Sequence, residues 1–302
     1  MTPVDPSRGP AHEPAADLPV DLAADLAADL PVDLSPLRRA VLEWYDTRGR
    51  RLPFRGTTDP YAVLVSEAMA QQTQVARVGP AWLAFLATFP TVGSLADAPL
   101  ADVLRAWRGL GYNRRAAHLH RAARAIVEEH GGRVPDDVAA LQRLPGVGPY
   151  TARAVASIAF GRRVGAVDTN VRRVLGRVSA GDADALSPAR IQRLADEAVP
   201  ADRAADWTHA VMDVGAMFCR PRDPSCGECP ARPWCRYGSD RPSSPVDARD
   251  RRRPAPRRPP NAVAFRRTSR WLRGRIVERL TGADDSAWTR FDRPIGDHPL
   301  QA

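Results

Sequence analysis

The 302-residue chain contains no lysine; all 44 of its Lys+Arg positions are arginine. No side-chain primary amine is available to form an imine with a carbonyl, so every reaction that runs through a lysine Schiff base is excluded. Long apolar runs are also missing, and nothing approaches the roughly 20 residues of a membrane span. The N-terminus carries acids where an export signal needs bases. A soluble cytoplasmic protein with no membrane partner is therefore expected. Cysteine is scarce: four residues, all between Cys219 and Cys235. Convincing runs of alternating, strand-like residues are absent as well.

The charge that is present is unevenly spread. Residues 1–35 hold seven acids and one base, a net of −6, which leaves +15 on residues 36–302. A basic body of this size suits a polyanionic partner, most often nucleic acid. Arg-rich coding bias alone could produce the same excess. The Asp-Leu repeat from Asp17 to Leu34, interrupted by Pro19 and Pro31, reads as a disordered acidic tail over 1–35. Residues 36–237 read as mostly helical: apolar residues recur at three-to-four spacing in PYAVLVSEAMAQQTQVARV, LADVLRAWRGLGY, RRAAHLHRAARAIVEEH and YTARAVASIAF. A Pro/Arg-rich linker follows over 238–262. Residues 263–302 hold one small helix around TSRWLRGRIVERL, too little for an independent domain.

The four cysteines are spaced C-x6-C-x2-C-x5-C. Disulfides do not suit a cytoplasmic chain, which leaves a metal. Zinc held by four thiolates usually shows two close C-x2-C pairs. Here only one is close, so zinc and an iron–sulfur cluster both stay open on spacing alone.

In LPGVGPYTARAV (144–155), two glycines precede a helix that starts at Pro149. Gly146 and Gly148 can adopt backbone angles closed to other residues. Exposed N–H groups at a helix N-terminus make a phosphate seat, although a tight turn would look the same. Asp168, twenty residues beyond Gly148, is either an N-cap for the helix that follows or a functional carboxylate. On one continuous helix, Glu67, Gln71 and Gln74 of SEAMAQQTQV share a face. That polar stripe could face solvent or a pocket.

Together, the hairpin, the Asp one helix later and the cysteine spacing resemble the helix-hairpin-helix DNA glycosylase superfamily with a [4Fe–4S] cluster, over about residues 37–236. The resemblance implies an all-α, two-lobed fold, with a six-helix barrel lobe and a cluster lobe. It implies Cys219, Cys226, Cys229 and Cys235 as cluster ligands. Arg220, Arg222, Arg232 and Arg236 would offset cluster charge or touch DNA, unless they are simply solvated. Lyases of the superfamily place a lysine two residues after the second hairpin glycine; this chain has Tyr150 there. Glu67 ahead of Gln71, Gln72, Thr73 and Gln74 is similar to the MutY-like adenine glycosylases, as are RGLGYNRRA (108–116) and MDVGAMFC (212–219). Phe54, Ala70, Asn113 and Arg172 depart from that family's usual residues. Residues 263–302 are too few for the Nudix-like domain that its members append to read 8-oxoguanine.

What the resemblance implies is a monofunctional glycosylase, expected as a monomer, acting on duplex DNA with adenine opposite 8-oxoguanine or guanine. Glu67 would protonate adenine N7. Asp168 would stabilise the oxocarbenium-like sugar or trap it, and Tyr150 and Asn170 would orient Asp168 or the water. Gln72 and Tyr112 would fill the vacated stack, and Gln71, Leu144, Gly146, Val147, Gly148 and Arg172 would contact DNA. Rival readings are a glycosylase for thymine or uracil opposite guanine, and a non-catalytic DNA-binding protein.

Overall fold

The computed structural model describes residues 33–239, 265–283, 289–291, 293–296 and 298. The chain divides into two units, Met1–Asp33 and Leu34–Ala302. All but the last residue of the first unit lie outside the described residues, as do the expected acidic tail up to residue 32 and most of the Pro/Arg linker. In the second unit the regular structure among the described residues is helical, apart from one isolated bridge between Ile295 and His298. None of these helices is long and apolar enough to cross a membrane.

Two apolar cores organise this unit. The first is built from α2 (Pro60–Ala70), α3 (Val75–Thr88), α4 (Val92–Asp97), α5 (Leu100–Ala106), α6 (Arg114–His130), α7 (Val138–Arg143) and α8 (Pro149–Phe160). Pro99 has no N–H to give and sits between α4 and α5 in extended backbone, so one barrel element is split into two short helices. The second core joins α1 (Ser35–Arg48) to α9 (Thr169–Ala180), α10 (Pro188–Ala198) and α11 (Ala204–Met217). The chain thus leaves the second lobe after α1, builds the first, and returns.

Local chemistry sets the helix ends that matter for function. Asp59 caps α2 by accepting from the Tyr61 N–H at 3.1 Å, with Pro60 at the first helical position. The run PYAVLVSEAMAQQTQVARV is not one helix. It breaks after Ala70, with Gln71 in extended backbone and Gln72 at φ 54°. Gly146 sits at φ 80°, and a Cβ there would lie 2.5 Å from the His118 Cβ. Glycine at that position is demanded by both conformation and space. Helix α8 packs on α2 and on α11, while α11 packs on α9 and α1. It is α8 that joins the lobes.

Trp107 is completely buried at the centre of the first core, edge-on to Phe85 with ring centroids 5.9 Å apart. Its Nε1–H donates to the Gly111 carbonyl at 3.2 Å. Trp107→Ala leaves a cavity and removes one of the two donors to the Gly111 carbonyl, and we expect a loss of about 3–5 kcal/mol. Urea denaturation should record this as a lower midpoint with an unchanged slope.

Candidate active site

A cleft of about 1850 Å3 is lined from both lobes. The first lobe contributes Glu67, the Gln71–Thr73 turn, the loop bearing Tyr112, the 144–148 hairpin and Tyr150. Asp168, Asn170, His209 and Met212 come from the second. Another wall is formed by Phe265, Trp271, Arg273 and Arg275, from the turn before α12 (Ser269–Thr281) and from that helix itself. Sequence reasoning anticipated this helix but gave it no place beside the cleft.

Glu67 lies near the C-terminal end of α2, a helix whose other faces are buried in the first core. Burial raises its pKa from an ordinary 4.5 to about 7. The Tyr150 hydroxyl, which favours the charged carboxylate, and the nearby Arg55 charge pull the other way, while the Asp168 charge adds to the rise. Burial first, then the charge of Glu67 and that of Asp168, hold the Tyr150 phenol well above its ordinary range. It therefore stays protonated and can donate. Glu67, Tyr150 and Asp168 all line the cleft, and the phenol feels the charge of both carboxylates.

Asp168 caps its helix and also lines the cleft. Its Oδ1 accepts the Asn170 and Val171 N–H groups at 2.9 and 2.7 Å, which caps α9. Its Oδ2 accepts the Asn170 side-chain amide at 2.9 Å. Arg173 Nη2 donates to Asn170 Oδ1 at 2.7 Å and so sets the orientation of that amide. Asn170 also presses against α11, where a Cβ on Gly215 would lie 2.5 Å from the Asn170 Cβ. Asn170 orients the carboxylate, and a glycine makes room for it.

A group missed by the sequence reading sits behind these residues. Asp213 is fully buried on α11 and receives Arg55 Nη1 and Nη2 at 2.7 and 2.8 Å, along with the Arg50 N–H and Nε at 2.9 and 2.7 Å. These bonds hold its carboxyl below the ordinary range despite burial. Arg55, thus fixed, is the positive charge felt by Glu67 and Tyr150. Burial, aided by Arg55, drives the His209 imidazole down to about 3, so it lines the cleft as a neutral ring. A readable signal existed: a lone acid inside the apolar run AVMDVGAM must bury a charge, and so needs cations.

The four cysteines follow α11 on loops and short turns, and none forms a disulfide. Burial pushes the Cys229 thiol up to about 12, and the charges of Cys219, Cys235 and Cys226 add to that. Among the described residues, no three or more His, Cys, Asp or Glu side chains form a group that could hold one metal ion. Arg177, nearly buried, donates to Cys219 Sγ at 3.4 Å and to the Arg220 carbonyl at 2.8 Å, with its guanidinium 4.3 Å from the Tyr237 ring centre.

Residues 65–201 match the HhH-GPD superfamily base excision DNA repair protein family. The chain is 43% identical to the adenine DNA glycosylase of Mycobacterium tuberculosis over 250 residues, covering 81% of this chain and 78% of that protein. To the adenine DNA glycosylase of Mycolicibacterium smegmatis it is 45% identical over 208 residues, covering 68% and 70%. The chain belongs to the HhH-GPD superfamily and, within it, to the adenine DNA glycosylase family. Among solved structures, a thermostable thymine-DNA glycosylase superposes with a TM-score of 0.64 at 30% identity, covering 69% of this chain and all of that one.

Within this family frame, three site expectations take a different form. Gln74 does not share a face with Glu67: the helix ends at Ala70, and Gln74 is the exposed N-cap residue of α3. Gln71 does stay in the cleft, donating to Thr151 Oγ1 at 3.2 Å and so tying the end of α2 to α8. Leu144 and Val147 line the cleft wall, but their side chains are buried in the first core. The Val147 N–H is already given to the Leu144 carbonyl at 3.1 Å. Arg172 does not line the cleft; it lies 3.5 Å from Asp184.

A carboxyl titrating near 7 costs the fold stability. The unfolded chain releases that proton at lower pH, so stability is lost as pH rises from about 4.5 through about 7. Glu67→Gln should therefore be more stable than the parent at pH 8, by at most about 3 kcal/mol, with cleft water lowering that ceiling. The difference should vanish towards pH 4. Urea titrations at both pH values measure it, and a difference independent of pH would contradict a desolvated acid.

Proposed function

We propose that this protein removes adenine mispaired with 8-oxoguanine or guanine from duplex DNA, hydrolysing the N-glycosidic bond and leaving the strand uncut. The observation that carries this reading is the environment of Glu67, a carboxylic acid kept protonated to about pH 7 within the reach of a phenol that also feels Asp168. The protein acts on DNA in the cytoplasm as a monomer.

Extrusion of the adenine brings it into the cleft, with Gln72 and Tyr112 filling the gap. Glu67 gives its proton to N7, and the bond from N9 to C1′ breaks with both electrons leaving on the base. Positive charge grows on the sugar. The Asp168 carboxylate, oriented by Asn170, faces that charge and stabilises it. Water then adds to C1′, and its proton passes to a carboxylate. Tyr150 stays protonated and orients the carboxyl pair. No strand cleavage follows, because neither Tyr150 nor any other side chain can form the imine.

We infer that Cys219, Cys226, Cys229 and Cys235 hold a [4Fe–4S] cluster. The donor set fits: four thiols within residues 219–235, none of them in a disulfide, at a spacing that departs from the paired C-x2-C of zinc sites. Such a cluster gives each thiolate its own iron and does not require them to meet at one ion. It would hold the 219–235 loop in shape, remote from the base chemistry. The protein should purify brown, absorbing visible blue light; a colourless, zinc-containing protein would overturn this.

A second reading has one observation behind it, the shared fold with a thymine-DNA glycosylase. Thymine has no N7 to protonate, so an acid poised like Glu67 serves a purine better. Duplexes with adenine opposite 8-oxoguanine, adenine opposite guanine and thymine opposite guanine decide between them. We expect excision from the first two only, with nicking appearing after alkali. The single-turnover rate should fall as pH rises above about 7, where Glu67 ionises. Glu67→Gln should slow it by about 10²–10⁴-fold and abolish that pH dependence.

A further inference from the structure

Among the described residues, three that are not glycine have positive φ: Gln72 at 54°, Tyr112 at 47°, and Asp223 in the cysteine loop. Gln72 and Tyr112 lie on separate loops, both exposed, on the same cleft. A left-handed backbone in such residues is unfavourable and persists only where the surroundings over-determine it. Here one side chain does much of that. Arg115 Nη1 donates to the Ala68 and Met69 carbonyls, both at 2.9 Å, at the end of the helix that carries Glu67. Its Nη2 donates to Thr73 Oγ1 at 3.0 Å, next to Gln72. The same Nη2 reaches the Leu110 and Gly111 carbonyls at 3.1 Å, just ahead of Tyr112.

The guanidinium carbon sits 5.5 Å from the Trp107 ring centre and 5.6 Å from that of Tyr112. Trp107 is buried and bonded to Gly111, so the arginine rests on core on one side and holds the tyrosine ring on the other. Its Nε–H is buried and meets no acceptor. An arginine selected only for its own hydrogen bonding would not leave that donor stranded. Its position is set by reaching two loops at once.

We propose that Arg115 is a positioning residue that locks Gln72 and Tyr112 into one rigid unit, so that they enter the base stack together and in register with Glu67. This rests on the reading of Gln72 and Tyr112 as the residues that fill the vacated stack. Lysine at 115 keeps the charge but not the planar fork, and cannot bond both loops in one plane. Thr73→Val removes the one side-chain acceptor on the Gln72 side and leaves the Tyr112 side untouched.

The test is a mutant cycle on the full chain. Extrusion is followed by stopped-flow fluorescence of 2-aminopurine placed opposite guanine. Arg115→Lys should slow extrusion about tenfold or more in the parent and less than about twofold when Gln72→Ala and Tyr112→Ala are already present. Thr73→Val should slow it about threefold, and that effect should disappear with Tyr112→Ala, although Thr73 and Tyr112 sit on different loops. Equal slowing in both backgrounds, or no slowing by either substitution, would overturn the coupling. Unchanged extrusion in Gln72→Ala and Tyr112→Ala would instead overturn the wedge reading itself. Should Arg115→Lys fail to fold, the Thr73→Val arm decides alone.

Discussion

Two carboxyl groups from different lobes line one cleft, and their surroundings are unlike. Glu67 comes from the first lobe, on a helix that buries its base and so favours the neutral acid. Asp168 comes from the second, at the mouth of a helix whose first N–H groups it accepts. The two carboxyl groups therefore sit in different surroundings, one buried at its helix and the other bonded to the first N–H groups of a helix. Tyr150 stands between them on the helix that links the lobes, and it is influenced by both. The two-lobed architecture has its chemical point here, because neither core alone could supply both environments.

A third charge keeps this pair in balance. Arg55 lowers the pKa of Glu67 and opposes the burial that raises it. Without a partner, a buried guanidinium would be expensive to hold. Asp213 takes it and Arg50 together, from the back of the cleft. A stable ion network inside the second lobe is thereby coupled to the titration of an acid on the first. The same economy recurs at Arg115, whose single guanidinium joins the end of the acid-bearing helix to both exposed cleft loops.

Much of the site was legible in the sequence where a local rule governs it. Gly146 and Pro149 announce a hairpin and a helix start, and both stand where expected. Arg114–His130 is bounded as its periodicity implied. Asp168 caps its helix as its position ahead of NVRRVL allowed, and it also lines the cleft. The glutamine stripe failed for an equally local reason: helical spacing was projected past Ala70, where the chain turns left-handed. Arg172 was placed by its position in a motif, yet it lies against Asp184 and away from the cleft.

By itself the sequence determined what the chain cannot do and what it holds in short register. It has no amine for an imine, its four thiols sit at one spacing, and a hairpin precedes a capped carboxylate. These depend on residue identity and on neighbours within a few turns. Only the tertiary structure decided which distant groups share a dielectric. The burial that lifts Glu67, the pairing of Arg55 with Asp213 and the span of Arg115 all join residues about 40 to 160 positions apart. Such energies depend on distance in space and on excluded water, and neither quantity exists until both lobes have closed around the cleft.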